Sequence, residues 1–277
     1  MPELPEIETI VRELQQKIIG QKIVSVRIIL PKIIKMDAKE FISLVEGVYI
    51  QEVKRRGKII IILLSNGMSL LVHLKLTGQL IDTAPEEPLN KHTHLIFELS
   101  GGRHLRYFDL RQFGYFLLAE TAQLPRLRQL NLLGPDPLKI SLNEFRKLIS
   151  TRAGRIKSLL LNQSFLAGIG NIYADEILHR ARIHPLQSAK TLSDSRIEIL
   201  YEAIKEVLIK AIEYKGSSVS DYVDSNGNKG NYQKFHQVYQ REGKPCFTCT
   251  NKIARLKISN RSSYFCLDCQ KGNNYST

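Results

Sequence analysis

Cys246-Phe247-Thr248-Cys249 and Cys266-Leu267-Asp268-Cys269 contain all four cysteines of the chain, with 16 residues between the two pairs. Paired Cys-x-x-Cys knuckles at this separation fit a tetrahedral structural zinc site that clamps a β-hairpin. Four thiolates close the coordination shell, so such a zinc holds structure and leaves no position open for chemistry. Disulfide pairing is the alternative, and it suits a secreted chain better than one read as cytoplasmic. Between the pairs lie Lys252, Arg255, Lys257 and Arg261, followed by Tyr264 and Phe265. A basic hairpin of this kind suits a nucleic-acid groove; a solvated basic surface is the plainer alternative.

The charge of the whole chain points the same way. Its 277 residues carry a formal net charge of +13, and the sequence pI is near 9.6. A polyanionic partner follows, with nucleic acid first and an anionic membrane surface second, since there is no long amphipathic basic helix. With 43% hydrophobic residues the chain can build two or three domains, each with its own core. No apolar run approaches the roughly 18 residues needed to span a bilayer. The acidic start lacks the pattern of a signal peptide, so the expectation is a cytoplasmic protein with no membrane partner.

Upstream of the hairpin, Gly216 to Gln233 is polar and glycine-rich, with Gly216-Ser217-Ser218 and Asn226-Gly227-Asn228-Lys229-Gly230. It is too long for an ordinary connector, and reads either as a mobile functional loop or as a disordered linker. Before it, Leu142–Thr151, Ile156–Leu161, Ala174–Arg180 and Ser195–Lys215 have helical character. Between the second and third of these sits Phe165-Leu166-Ala167-Gly168-Ile169-Gly170-Asn171. Its glycines suit either a tight turn that brings backbone amides and Asn171 to a phosphate, or simple close packing of helices.

The first half is β-rich. Lys22–Leu30, Lys58–Leu64, Met68–Leu74, His94–Leu99, His104–Leu110 and Phe113–Ala119 are predicted strands, separated by turn signals such as Asn66-Gly67 and Gly101-Gly102. They predict an antiparallel sandwich or barrel-like sheet pair that ends near Gly134-Pro135-Asp136-Pro137. Ahead of them, Ile7, Ile10, Val11, Leu14 and Ile18 recur at helical spacing, and Gly20 closes the helix.

That helix anchors Met1-Pro2-Glu3-Leu4-Pro5-Glu6. Removal of Met1 would give Pro2 a free secondary amine. An α-amino group has a reference pKa of about 7.7–8.0, well below the about 10.4 of lysine, so a useful fraction is a neutral nucleophile near pH 7. Glu3 beside it is a candidate proton donor or acceptor. The alternative is an ordinary helix start, for which Pro and Glu are both suited.

Taken together, these motifs resemble the bacterial formamidopyrimidine-DNA glycosylase family over essentially the whole chain. The resemblance rests on Pro2-Glu3-Leu4-Pro5-Glu6, Arg56-Gly57-Lys58, Asp109-x-Arg111-x-Phe113-Gly114, Gly168-Ile169-Gly170-Asn171-Ile172-Tyr173-Ala174-Asp175-Glu176 and the four-cysteine finger ending Cys269-Gln270. It implies an α+β, multidomain fold. A leading helix and β-sandwich would occupy residues 1–134, a helix-two-turn-helix domain 135–240 with a lesion-capping loop at 216–233, and a zinc-finger β-hairpin 241–277. It also implies a monomer acting on damaged double-stranded DNA in base-excision repair, with one structural Zn2+ and no nucleotide cofactor.

Roles come with the resemblance. Pro2 would attack C1′ of the damaged nucleotide and expel an oxidised purine such as 8-oxoguanine or a formamidopyrimidine, and Glu3 would help the sugar ring open. Lys58 matches a catalytic or phosphate-gripping lysine. Asn171 and Arg261 match residues that grasp phosphates beside the lesion, joined by His73 and His92. Leu76, Arg111 and Phe113 match the side chains inserted into the duplex. Ser217, Ser218, Val219, Ser220, Asp221 and Tyr222 match the part of the loop that closes over the extruded base, and Cys246, Cys249, Cys266 and Cys269 match the zinc ligands.

The chain departs from the family pattern at three places: Leu76 stands where methionine is usual, Ser220 where arginine is common, and Asn260-Arg261-Ser262 where Gly-Arg-Gly is usual. Two alternatives compete. One is an endonuclease VIII-type glycosylase for oxidised pyrimidines, against which Leu4 and the Arg111-x-Phe113 pair both argue. The other is a non-catalytic DNA-binding protein on the same scaffold.

Overall fold

The computed structural model describes residues 1–271 and divides into two compact units: Met1–Asn131 with Tyr214–Gln233, and Leu132–Glu213 with the chain from Lys234 onward. Residues 272–277, the end of the 241–277 segment, lie outside the described residues. Among the described residues no helix is long and apolar enough to cross a membrane.

The first unit opens with α1 (Leu4–Ile18), whose five periodic apolar residues are all buried. A capping box starts it: the Glu3 backbone N–H donates to Glu6 Oε2 at 2.7 Å, and the Glu3 side chain accepts from the backbone of Glu6. Then follow β1 (Ile23–Ile28), α2 (Ala38–Val45), β2 (Ile50–Arg56), β3 (Ile59–Leu64), β4 (Met68–His73), β5 (Gly78–Thr83), β6 (Thr93–Leu99), β7 (Arg103–Asp109), β8 (Tyr115–Glu120) and α3 (Arg128–Asn131). The strands form two antiparallel four-stranded sheets, ordered β1-β6-β7-β5 and β2-β3-β4-β8. One core joins them, with Leu14 of α1, Phe41 of α2, Ile62 and Val72 of one sheet, and Phe97 and Tyr107 of the other. Neighbouring Ile59, Ile61 and Leu71 are buried too, which is why β3 and the Leu70–Val72 centre of β4 read as unbroken apolar runs.

Four elements of this unit, β2, β5, α2 and the single-turn α3, were not predicted from the sequence. β2 carries Gln51, Glu52, Lys54, Arg55 and Arg56 around a buried Ile50 and Val53, so as an edge strand its charges hide its periodicity. β5, Gly78–Thr83, holds only Leu80 and Ile81 as apolar side chains, between Gly78-Gln79 and Asp82-Thr83. α2 follows an Asp37 cap that accepts from the Lys39 and Glu40 N–H groups. The predicted strand at Phe113–Ala119 starts later, at Tyr115, where the ladder with β4 ends at the His73–Tyr115 pair and the Gly114 N–H donates to the Asp109 carboxylate instead.

Tyr214–Gln233 clusters with this first unit although it follows the longest helix of the second. The segment closes on itself through Asn231 N–H to the Tyr214 carbonyl and Tyr232 N–H to the Gly216 carbonyl. Asp224 accepts from the Asn226 and Asn228 N–H groups, each at 2.9 Å. Ser225 donates from both N and Oγ to Glu13 of α1, and Tyr222 joins the hydrophobic core.

In the second unit a Ser141–Glu144 capping box opens α4 (Leu142–Ser150), followed by α5 (Ile156–Leu161), α6 (Asn171–Arg180) and α7 (Asp194–Glu213). Phe145, Ile156, Leu160, Phe165, Tyr173 and Leu200 are buried, and the Phe145 ring packs against Phe165 and Tyr201. The turn between α5 and α6 is held by Gln163, whose Nε2 donates to the Leu161 and Ile169 carbonyls while Oε1 accepts from Gly168 N–H. Gly168, at φ 108°, takes a conformation that an L side chain rarely adopts. The hairpin is β9 (Ile253–Ile258) and β10 (Arg261–Cys266), paired antiparallel with Ile258 opposite Arg261. Its two-residue turn, Ser259-Asn260, has φ values of 48° and 61°, the type I′ pattern matched to strand twist.

Candidate functional site

In the first unit, Met1 is 42% exposed while Pro2 is buried. Glu3 and Glu6 are buried as well, and Glu6 is the junction of this corner. Its Oε2 accepts from Glu3 N–H at 2.7 Å and its Oε1 from Ser217 N–H at 2.8 Å. Gly216, at φ 76°, passes so close that a Cβ there would lie 2.6 Å from Glu6 Oε1. Burial, together with the Glu6 charge, pushes the Tyr222 phenol well above its ordinary value, so it stays a neutral hydroxyl.

The structure therefore brings Glu3 and Ser217 to one carboxylate, while the Tyr222 hydroxyl donates to the Glu6 backbone carbonyl at 3.5 Å. Ser218 Oγ donates to the Tyr222 carbonyl and accepts from Gly230 N–H, while Gln79 donates to the Asp221 carbonyl at 2.6 Å. Ser220 and Asp221 are exposed and Val219 is half-buried.

Lys58 lies in the two-residue turn after Gly57, which has φ 57°, yet it is only 7% exposed. The phosphate-gripping lysine implied by the resemblance is thus a mostly buried side chain. Desolvation, reinforced by the charges of Lys75 and Lys58, lowers His73 to about 3. Its Nδ1 accepts from Lys75 N–H at 3.1 Å, as a neutral ring requires. Any grip His73 has on phosphate is therefore that of a neutral donor.

The remaining sequence-predicted residues of this unit sit in neighbouring turns. Leu76 follows Lys75, whose φ is 53°, and Arg111 and Phe113 flank Gln112. The Arg111 guanidinium lies 5.0 Å from the Phe113 ring centroid, and Phe113 is 54% exposed. His92 is half-buried, and its carbonyl accepts from Asp109 N–H at 3.1 Å.

In the second unit the Sγ atoms of Cys246, Cys249, Cys266 and Cys269 all lie within 4.8 Å of one another. Cys246 and Cys269 are separated by 3.8 Å, and Cys249 and Cys266 by 3.3 Å, as free thiols. A tetrahedral zinc with Zn–S bonds of about 2.3 Å sets its sulfurs about 3.8 Å apart, so the donor set fits that ion in chemistry and size.

Asn171, the first residue of α6, donates from Nδ2 to the Ser262 carbonyl at 2.9 Å, and Lys157 Nζ donates to the same oxygen at 3.0 Å. Lys157 also pairs with Asp175 at 2.6 Å, both side chains being fully buried, and Asp175 accepts from Tyr264 N–H. Burial pushes the Asp175 carboxyl up, against the opposing charge of Lys157. The exposed Arg261 is thus held one residue from a carbonyl that two helices grip. Glu176, also buried, accepts from the N–H groups of Gln237, Val238 and Tyr239.

Sequence reasoning gave no role to Asp109, Lys157, Asp175 or Glu176. Three of these lie inside the motifs already quoted, and a carboxylate within an otherwise apolar or glycine-rich motif is the signal that was available.

This is a helix-two-turn-helix protein with a four-cysteine hairpin and a two-sheet N-terminal unit. Residues 1–116 match the model of the formamidopyrimidine-DNA glycosylase N-terminal domain, and residues 133–223 match that of the formamidopyrimidine-DNA glycosylase H2TH domain. The formamidopyrimidine-DNA glycosylase of Pelotomaculum thermopropionicum is 49% identical, covering 98% of this chain and 99% of its own. A Lactococcus lactis FPG variant in complex with Fapy-dG-containing DNA superposes with a TM-score of 0.91 at 35% identity, over 98% of this chain and 100% of that one. A MutM structure in complex with DNA containing carbocyclic 8-oxo-G gives 0.90 at 36% identity, with the same coverage. The chain belongs to the formamidopyrimidine-DNA glycosylase family.

Proposed function

We propose that this protein excises oxidised purines from duplex DNA through a covalent intermediate on Pro2, and cuts the strand at the resulting abasic site. It is a base-excision-repair DNA glycosylase. The observation that carries the mechanistic reading is the Glu6 carboxylate, which ties the turn bearing Pro2 and Glu3 to Ser217, where the base-closing loop begins.

Met1 is exposed and open to removal, which leaves the buried Pro2 as a secondary amine. A base stacked in a duplex hides its C1′, so the nucleotide is first extruded, at about a few kcal/mol. The Pro2 nitrogen lone pair then forms a bond to C1′ as the glycosidic bond breaks, and the base leaves with the electron pair of the glycosidic bond and with the proton that the Pro2 nitrogen gives up. Glu3 supplies a proton to O4′ as the ring opens to an iminium. The iminium accepts the electrons released when the C2′ proton is lost, and the C3′–O bond breaks with its phosphate as leaving group. A second elimination breaks the C5′–O bond, and water hydrolyses the iminium to free Pro2.

Arg261, Asn171, Lys58, His73 and His92 grip phosphates, Leu76, Arg111 and Phe113 fill the vacated stack, and Ser217 to Tyr222 cover the extruded base. The four cysteines would hold zinc, whose contribution is to fix the hairpin that presents Arg261. By function the chain divides as 1–134, 135–240 and 241–277, following motif content.

Borohydride reduction in the presence of abasic-site DNA tests the reading. A covalent adduct is expected, and it should vanish in Pro2→Gly and in protein shown by intact mass to retain Met1. An undiminished adduct in either would remove Pro2 as the nucleophile. On a panel of damaged bases, preference for thymine glycol over 8-oxoguanine opposite cytosine would overturn the substrate class.

A further inference from the structure

Asp109 is fully buried, and its carboxylate gathers the turns that carry three separate functional side chains. Oδ1 accepts from the hydroxyl of Thr77, the residue after Leu76, and from Arg111 N–H at 3.2 Å. Oδ2 accepts from Gly114 N–H at 2.8 Å, just beyond Phe113, and from the Tyr107 hydroxyl at 3.0 Å. Thr77 Oγ1 in turn accepts from Arg111 N–H at 3.0 Å, so the two turns are cross-linked directly as well. The Asp109 backbone completes the set: its N–H donates to the His92 carbonyl, and its carbonyl meets His94 Nε2 at 2.9 Å.

The surroundings are built for this convergence. A Cβ at Gly114 would lie 1.7 Å from the Tyr107 hydroxyl, and one at Gly78 would lie 2.7 Å from it, so glycine at both positions lets the phenol reach Asp109. Lys75 and Gln112, the neighbours of Leu76 and Phe113, both take left-handed φ values. Residues with side chains persist in that region only where their surroundings over-determine them. Burial alone would raise the Asp109 carboxyl, but the bonds from Thr77, Gly114, Tyr107 and Arg111 outweigh it and hold the carboxyl below its usual range.

We propose that Asp109 is a positioning residue that locks Leu76, Arg111 and Phe113 into one pre-formed wedge for opening the duplex. This rests on the reading of those three side chains as the ones inserted into DNA. A wedge ordered during folding loses little conformational freedom when it enters the base stack, whereas two independent turns would lose theirs at the moment of binding. Asp109 therefore acts on extrusion of the nucleotide and not on the reactions at C1′.

The test separates those stages in the full-length protein. In a Pro2→Gly background, which removes the chemistry, 2-aminopurine placed beside the lesion reports unstacking. Adding Asp109→Asn should slow or weaken that signal by about 10- to 100-fold, the range for leaving buried donors unsatisfied. With Pro2 intact, Asp109→Asn should lose a similar factor in excising 8-oxoguanine from fully paired duplex. It should lose far less in cleaving an abasic site within a bulge, where the nucleotide is already unstacked. Thr77→Val removes one hydroxyl, with its bond to Asp109 and its acceptance from Arg111 N–H, keeps the β-branched shape, and carries the same test if Asp109→Asn folds poorly.

Equal losses on paired and bulged DNA, or an unchanged 2-aminopurine signal in the folded variants, would overturn the proposal. Because unstacking is read without Pro2, failure of the covalent mechanism would leave that signal intact and be told apart.

Discussion

The Ser217 backbone N–H donates to the Glu6 carboxylate at 2.8 Å, across 211 residues of sequence. One buried acid thus sets both the turn that places Pro2 and the first residues of the loop read as covering the base. Its two oxygens each face a backbone donor, so it works only as an acceptor pair.

Glu6→Gln should therefore disturb the loop as much as the terminus. An amide turns one acceptor into a donor facing an N–H group, and an unsatisfied buried donor costs about 1–3 kcal/mol. A fall in melting temperature of several degrees is expected, with faster hydrogen exchange at Ser217 and Ser218. Exchange unchanged at those amides would show that the loop is held by other contacts.

The buried His73 ring predicts a pH dependence of stability. Its value in the fold, about 3, lies below the 6.5 of the free ring, so the unfolded chain binds a proton in an interval where the folded protein does not. The stability it confers is fully present above pH 6.5 and is lost as pH falls from there toward 3, at about 1.4 kcal/mol per pH unit. His73→Gln should be less sensitive to acid than the parent. His236, lowered to about 4 by burial, leaves a residual slope of the same sign. Thermal scans at several pH values check this, and a constant difference between the two proteins would contradict it.

Arg261 and Lys58 should separate by exposure. Arg261→Ala removes an exposed charge, so it should flatten the salt dependence of DNA binding by about one unit of slope and leave the melting temperature nearly unchanged. Lys58→Ala should flatten the slope similarly but also lower the melting temperature, because the side chain is buried. Titrations of DNA affinity against salt, paired with melting curves, read both effects. An unchanged slope would remove either residue from the phosphate-gripping set.

Metal removal should be local. Chelation, or Cys249→Ser, is expected to release one zinc per chain, to raise hydrogen exchange across Ile253–Cys266, and to weaken DNA binding. Exchange in Met1–Asn131 should stay as it was. Undiminished affinity in metal-free protein would show that the hairpin is dispensable for DNA.

Much of this was legible in the sequence because it is written locally. The α1 stripe from Ile7 to Ile18, the runs Ile59–Leu64 and Met68–His73, and the two cysteine pairs each signal their structure within a few residues. The edge strand Ile50–Arg56 was not, since charges on its exposed positions mask the alternation. Nor were the long-range acids. Besides their local bonds, Asp109 reaches Thr77, Asp175 reaches Lys157 and Glu6 reaches Ser217, distant partners that only the fold brings near and no spacing in the chain announces. The Gly216–Gln233 stretch looked like a loop or linker because its order comes from Glu13 and Glu6, far upstream.

That Tyr214–Gln233 completes the first unit has a consequence for how the protein is made. The ribosome must translate Leu132–Glu213 between the two pieces, about 4–16 s at 5–20 residues per second. For that interval the nascent sheets carry Glu6 and Glu13 without the strap that satisfies them, a long-range closure of the kind that forms late. The segment read as covering the base is therefore among the last parts to acquire structure, and a chain truncated before Tyr214 would expose a finished sheet pair with an open seam.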